Sequence, residues 1–310
     1  MFKTNKMILV GRERAYHGVG FGGISVGGMS PNRKMFGSML PGVDHLKHTH
    51  NLEHNAYSVG QPKWGDHLAD QLTEILMLHD PSTVAAVIME PIAGSAGVYL
   101  PPVGYLNRIR EICDEHGILL VFDEVITGFG RMGTPFASQK FDVTPDIMTM
   151  AKAITNGSMP MGAVCVKDHI YETVTDNSNP DTIEFFHGYT YSGHPACVAA
   201  SLATLDVYEK EDVFARAEKM SPYFIDAVFD AFQDIPIVTD VRADGMMAAF
   251  DLAIDKNPGV RGYDAQKKTF ANGVHIKFTG DAGIVAPALI AEEKHIDEML
   301  QRIKEVLVKY

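Results

Sequence analysis

Short apolar runs alternate with amphipathic segments through the first half of the chain, and no other feature narrows the possible folds as far. Met7–Val10, Val84–Met89 and Ile118–Phe122 read as buried strands, and Ile147–Met150 and Ala163–Val166 as shorter ones. Between them lie helical patterns. Asp66–His79 repeats Leu68, Leu72, Ile75 and Leu76 at helical spacing, with Asp66 placed to cap its start. Tyr105–His116 sets Leu106, Ile109 and Cys113 on one face and stops at Gly117, a good helix end. Strands separated by helices imply an α/β fold with a mostly parallel sheet covered on both faces. Such a sheet carries its ligand site at the carboxyl ends of the strands.

The second half changes character. Pro195–Gln233 is largely helical, and its charged stretch Glu209–Lys219 reads as a solvated face. Short strands follow around Ile237–Val241, Met246–Leu252 and Val274–Phe278, then a closing helix from Glu292. A smaller α+β unit is therefore expected from about residue 206, after a large domain over 1–205. The stretch Gly18–Gly65 reads as one long loop, a length that is often functional. At 310 residues there is ample chain for a sizeable core, and 46% hydrophobic content argues against disorder. A net charge of −12 disfavours nucleic acid or an anionic membrane as partner. Three scattered cysteines, Cys113, Cys165 and Cys197, make neither a disulfide framework nor a metal pair. No apolar run approaches the ~18 residues of a membrane span. The basic start with its four-residue apolar run makes a poor signal peptide, so a cytoplasmic protein is expected.

The run Ile118–Phe122 ends on Asp123, Glu124 and Val125. An apolar strand closing on an acid presents a carboxylate at the ligand edge of the sheet. Asp123 is then a metal ligand of the Walker B kind, a partner for a cationic ring nitrogen of a cofactor, or an ordinary acid where strand meets loop. The Walker alternative requires a P-loop, and the sequence contains none. Lys152 follows Ile147–Met150 and would enter the same crevice, where a partly desolvated amine can lose its proton for Schiff-base chemistry. Alone, a lysine there more often reaches back to water. Paired with Asp123, it meets what pyridoxal phosphate requires: a carboxylate for the ring nitrogen and an amine for the aldehyde. Gly18–Gly23 matches GxGxxG with Asp44 downstream, but the Gly, Ser and Pro of Ile24–Pro31 argue against the helix a dinucleotide site needs. His45, His48, His50 and His54 crowd together, with only Glu53 as a nearby carboxylate, and read as a polar surface loop; no metal is expected. No GxSxG elbow is present to anchor a serine hydrolase.

Five longer stretches carry a resemblance: Gly11–Gly18 (GRERAYHG), Met89–Gly97 (MEPIAGSAG), Leu119–Gly133 (LLVFDEVITGFGRMG), Thr149–Val164 (TMAKAITNGSMPMGAV) and His187–Pro195 (HGYTYSGHP). In these the chain resembles the class III, fold-type I aminotransferases that depend on pyridoxal phosphate, in particular the ω-amino acid:pyruvate (β-alanine:pyruvate) group. The resemblance implies that Lys152 binds the cofactor and shuttles the proton, while Asp123 keeps the ring nitrogen protonated. It implies Tyr16 on one ring face, His17 and Gly18 shaping that wall, and Val125 on the other face. Glu90 would sit near the cofactor. Thr190 would donate to its phosphate across a homodimer interface, and Tyr189 would line the neighbour's pocket.

Three departures accompany the resemblance. The family's leading part, with its phosphate-binding turn, is expected to be absent ahead of Met1. Lys277 stands where the family has a carboxylate-gripping arginine; it keeps the charge and loses the bidentate fork. Ser95 and Ile126 replace a glutamate and a glutamine of the 2-oxoglutarate users, which matches the pyruvate users. The expectation is transamination of an ω-amino acid or amine such as β-alanine with pyruvate, giving alanine. The rivals are an inactive relative that binds the cofactor weakly or not at all, and a decarboxylase or racemase on the same fold.

Overall fold

The computed structural model describes residues 6–179 and 181–310; Met1–Asn5 of the basic start lie outside them. Six strands, β1 (Ile8–Arg12), β2 (Val43–Leu46), β3 (Val84–Met89), β4 (Leu119–Asp123), β5 (Ile147–Met150) and β6 (Ala163–Val166), pair in the order β2-β1-β3-β4-β5-β6. All neighbours are parallel except β5 and β6. A second sheet is antiparallel throughout: β7 (Val238–Asp244), β8 (Met247–Leu252), β9 (Lys277–Thr279) and β10 (Ala282–Val285), in the order β7-β8-β10-β9. Val87, Leu120 and Phe122 of the first sheet bury against Leu106, Ile109 and Cys113 of the helix Tyr105–Glu115 and against Leu72 and Leu76. The second core joins Phe250 to Phe224 and Phe232 of the helix Val213–Phe232 and to Ile296, Leu300 and Ile303 of the closing helix Glu293–Leu307. Each such side chain contributes roughly 1.5–3 kcal/mol by leaving water.

Several expectations change in detail. β1 and β4 sit one or two residues later than the apolar runs suggest, so Asp123 is the last paired residue of β4, opposite Thr149. Asp66–His79 is a 3-10 turn, Asp66–Asp70, followed by the helix Gln71–His79, and Gly65 at φ 115° takes the capping place given to Asp66. Gly18–Gly65 is not one loop. It holds the short helices Phe21–Val26 and Ser30–Met35, strand β2 and the turn Leu52–Asn55. Gly and Pro do stop each helix within six residues, as punctuation predicts, but do not prevent it. An edge strand needs little apolar content, and β2 fully buries only Leu46. β6 is an exposed edge rather than a buried strand, with Val164 64% and Val166 41% exposed. The expected strand Val274–Phe278 is the later and shorter β9, and β10 is an additional strand at the start of the apolar stretch 282–291.

Candidate active site

The carboxyl ends of β1, β3, β4 and β5 converge on a cavity of about 290 Å³. Tyr16, His17 and Gly18 come from the turn after β1, Glu90 from the residue after β3, Asp123 and Val125 from the end of β4, and Lys152 from just past β5; all seven line the cavity. The parallel register produces this gathering, because every strand delivers its next residue to the same edge.

The turn after β1 is fixed from below. Arg12, 2% exposed, donates to the Glu90 carbonyl at 2.8 Å and ties the end of β1 to that of β3. Gly28 lies so close that a Cβ there would sit 2.3 Å from the Arg12 carbonyl oxygen, which lets Arg14 N–H bond the Gly28 carbonyl at 3.0 Å. The Glu90 carboxylate accepts from Tyr16 N–H and Gly94 N–H, both at 3.0 Å, and so holds the two flanking turns together. Burial pushes the Glu90 carboxyl above its ordinary pKa; His17 and the Tyr16 N–H oppose this and Asp123 reinforces it.

Asp123 is 8% exposed; one carboxylate oxygen lies 2.8 Å from His17 Nδ1 and the other accepts Val125 N–H at 3.1 Å. His17 Nε2 is buried and has no hydrogen-bond partner among the described residues. Lys152 has φ 49°, in the left-handed region that a non-glycine residue occupies at a cost, and it opens a 3-10 turn to Ile154. Desolvation of its amine lowers its pKa and the Lys277 ammonium adds to this, while Asp123 and Glu90 oppose it. A lowered amine pKa enlarges the neutral, nucleophilic fraction.

The remaining predicted residues lie elsewhere. Lys277 reaches the edge of the cavity through Ser95, a lining residue, whose carbonyl lies 3.3 Å from Lys277 Nζ; the Thr279 hydroxyl donates to the same oxygen at 2.7 Å. Tyr189 and Thr190 are exposed and do not line the cavity within this chain. Ile88 and Thr149 also line it, beyond the residues to which the sequence points. Thr149 is the register partner of Asp123, so strand alignment could have found it.

The histidine group is not a polar surface loop. His45 bonds the Gly27 carbonyl at 3.0 Å, and burial lowers the His48 pKa to about 4. His50 stacks on Tyr99 at 4.5 Å and lies 3.6 and 3.7 Å from Asp240 and Asp251. Only His54 is exposed, stacked on Trp64. The partners of His50 come from β7 and β8, nearly two hundred residues on in sequence, which is why local spacing could not reveal them. His50, Asp240 and Asp251 bring ligand atoms within 4.8 Å of one another, but the cation that both carboxylates hold is the Arg242 guanidinium.

The donor set fits pyridoxal phosphate. A buried carboxylate braced by a histidine suits a basic ring nitrogen, an amine of lowered pKa suits an aldehyde, and Tyr16 and Val125 provide flat and aliphatic walls.

Comparison with known proteins agrees with this chemistry. The family described as aminotransferase class-III matches residues 2–307. An omega-aminotransferase of Caulobacter vibrioides is 52% identical over 308 residues, covering 98% of this chain and 69% of the relative. An omega-amino acid–pyruvate aminotransferase of Pseudomonas putida is 44% identical over 310 residues, covering 99% of this chain and 69% of that one. The solved structure of the omega transaminase from Pseudomonas jessenii in complex with PMP superposes with a TM-score of 0.92 at 30% identity, covering 98% of this chain and 68% of that one.

Proposed function

Because the chain belongs to the class-III aminotransferases, which depend on pyridoxal phosphate, we propose that it moves the amino group of an ω-amino acid or amine, such as β-alanine, to pyruvate and so makes alanine. The observation that carries this reading is the meeting of Lys152 and Asp123 in one cavity at the carboxyl edge of the sheet. When bound, the cofactor supplies an aldehyde that captures the amine and a cationic ring that accepts the electron pair released at the substrate carbon.

The residues do the rest. Asp123, oriented by His17, would keep the ring nitrogen protonated. Lys152 would hold the aldehyde at rest, and its amine is the group that would accept and give back the proton of the amine-bearing carbon. Tyr16, His17, Gly18 and Val125 line the cavity that would hold the ring, and Glu90 fixes two of the turns that form it. Lys277 meets the substrate carboxylate as a point charge. Pyruvate then runs the sequence in reverse, so the two half-reactions alternate.

The working unit in this reading is a homodimer in the cytoplasm, with Tyr189 and Thr190 completing the neighbour's pocket. The helix Pro195–Lys210 supports it: apolar on many sides, it fully buries only Ser201. Leu202 on this helix and Ile183 and Phe186 ahead of it are exposed, where a second copy would cover them. The chain divides into a cofactor-binding domain over 1–205 and a small domain over 206–310.

The test is an absorption spectrum of purified chain loaded with pyridoxal phosphate and desalted, beside Lys152→Ala. A retained visible band that Lys152→Ala abolishes and β-alanine bleaches, with alanine formed on adding pyruvate, is the expected result. No retained band in folded protein refutes the reading.

A further inference from the structure

One wall of the cavity is a turn with unusual backbone. Ala93 and Tyr99 exchange two hydrogen bonds of 3.1 Å, and the helical turn Gly94–Gly97 between them carries Ser95 into the lining. Gly97 has φ 135° and Val98 φ 55°. A β-branched residue in the left-handed region is costly and persists only where its surroundings over-determine it.

Besides the Glu90 carboxylate that accepts Gly94 N–H, the turn has a second hold, which comes from the second sheet. Arg242 of β7 donates from Nε to the Gly97 carbonyl at 2.6 Å. It lies so close that a Cβ on Gly97 would sit 2.8 Å from its terminal nitrogen. The two terminal nitrogens of the guanidinium bond the acids. The group forks onto Asp251 at 2.9 and 3.0 Å, bonds Asp240 at 2.5 Å, and lies 4.7 Å over the ring of Tyr99, the last residue of the same turn. His50 stacks on that ring. The acids and the ring set the guanidinium plane, and that plane aims Nε at Gly97; a lysine has no equivalent donor. A residue serving the second sheet alone would end at the acids.

We infer that Arg242 is a positioning residue: planted in the second sheet, it holds the 93–99 turn, and with it the Ser95 wall, in the shape that forms the cavity. Thr279 supplies a further hold through the Ser95 carbonyl. The wall that faces the substrate thus takes its full shape while the second sheet is docked. This rests on the cavity being the transamination site.

The test is amide hydrogen exchange on the intact chain without added cofactor, for Arg242→Lys and Thr279→Val, with steady-state kinetics alongside. Arg242→Lys keeps the charge beside Asp240 and Asp251 and loses the bond to Gly97. Exchange at the Val98 and Tyr99 amides, bonded to the Gly94 and Ala93 carbonyls, should quicken ~10-fold or more while β7 and β8 hold their protection. The KM for pyruvate should rise ~10-fold with kcat changed less than ~2-fold. Thr279→Val should move the same amides and KM, less strongly, without disturbing a buried charge. Unchanged exchange at 98–99 in both variants overturns the inference. So does equal acceleration across the turn, β7 and β8, which marks a purely structural arginine. Exchange decides the question without turnover, so a chain lacking transaminase activity would refute the functional proposal and not this one.

Discussion

Glu124 offers the most direct test of how the site is held in place. It is fully buried, directly follows Asp123, and its carboxylate accepts from the Thr127 hydroxyl, from Ala137 N–H at 3.0 Å and from Ser138 N–H at 2.7 Å. The side chain therefore staples the loop that begins with the pocket residues Val125 and Ile126 to the start of the turn Ala137–Lys140. Glu124→Ala leaves two backbone N–H groups buried without partners, at about 1–3 kcal/mol each, or roughly 2–6 in total. Relief from burying a carboxylate offsets part of that, so a loss of ~2–4 kcal/mol is expected. With an m-value of ~2–3 kcal/mol/M, the urea midpoint should fall by about 1 M. Glu124→Gln keeps one acceptor and matches the shape, so it should fall between wild type and alanine. Retention of pyridoxal phosphate should follow the same order, because the loop bears one wall of the cavity. An alanine variant within ~0.3 M of wild type, or a glutamine variant no better than alanine, would refute the staple.

Further predictions concern charge and packing. Lys277→Arg restores a bidentate fork and should lower the KM for pyruvate by ~10-fold in steady-state kinetics; no gain would place the substrate carboxylate elsewhere. The Lys152 amine, depressed by burial and held up by Asp123 and Glu90, should be modified by an acylating reagent at lower pH than free lysine. Glu90→Gln should move that midpoint lower still, as peptide mass spectrometry would show. Burial raises the Glu90 and Glu124 carboxyl pKa values, so their contribution to stability is fully present below the unfolded value of about 4.3 and is lost as pH rises through the higher folded values. Glu90→Gln should flatten that decline in urea midpoints measured against pH. Gly283→Ala would set a Cβ 2.4 Å from the Phe250 ring, which is locked in the second core, and should cost ~1–3 kcal/mol in the same unfolding assay.

The two halves of the site differ in how far the sequence discloses them, and the difference is physical. A parallel sheet turns order along the chain into a row of residues at one edge. An acid or a lysine just past an apolar run is therefore placed in space by its place in sequence. Asp123 and Lys152 are legible for that reason, and Glu90, Tyr16 and His17 become so through the motifs that surround them. Strand ends shift by a residue or two because pairing, not hydrophobicity, sets them: Asp123 joins β4 through its bond pattern with β5 although it is charged. β2 stays hidden because an edge strand needs no apolar run, whereas β10 lies in an apolar stretch whose strand pattern Gly283 and Pro287 interrupt.

The wall opposite has no such code. Gly97, Arg242 and Thr279 meet across more than 140 residues, and each looks ordinary where it stands: a glycine in a small-residue run, an arginine in a strand, a threonine beside a turn. Their meaning comes from three-dimensional complementarity, here a planar cation fitted between two acids, a tyrosine ring and one carbonyl. The same holds for His50, which looks like a surface histidine until β7 and β8 bring two carboxylates beside it. The chemistry of this chain is thus written along strand ends, while the shape of the pocket in which it acts depends on contacts between sheets that no local pattern announces. Substitutions at the strand ends should therefore change what the pocket does. Substitutions at the contacts between sheets should change which molecules fit it, and the split between kcat and KM across the Lys152 and Arg242 variants measures that division.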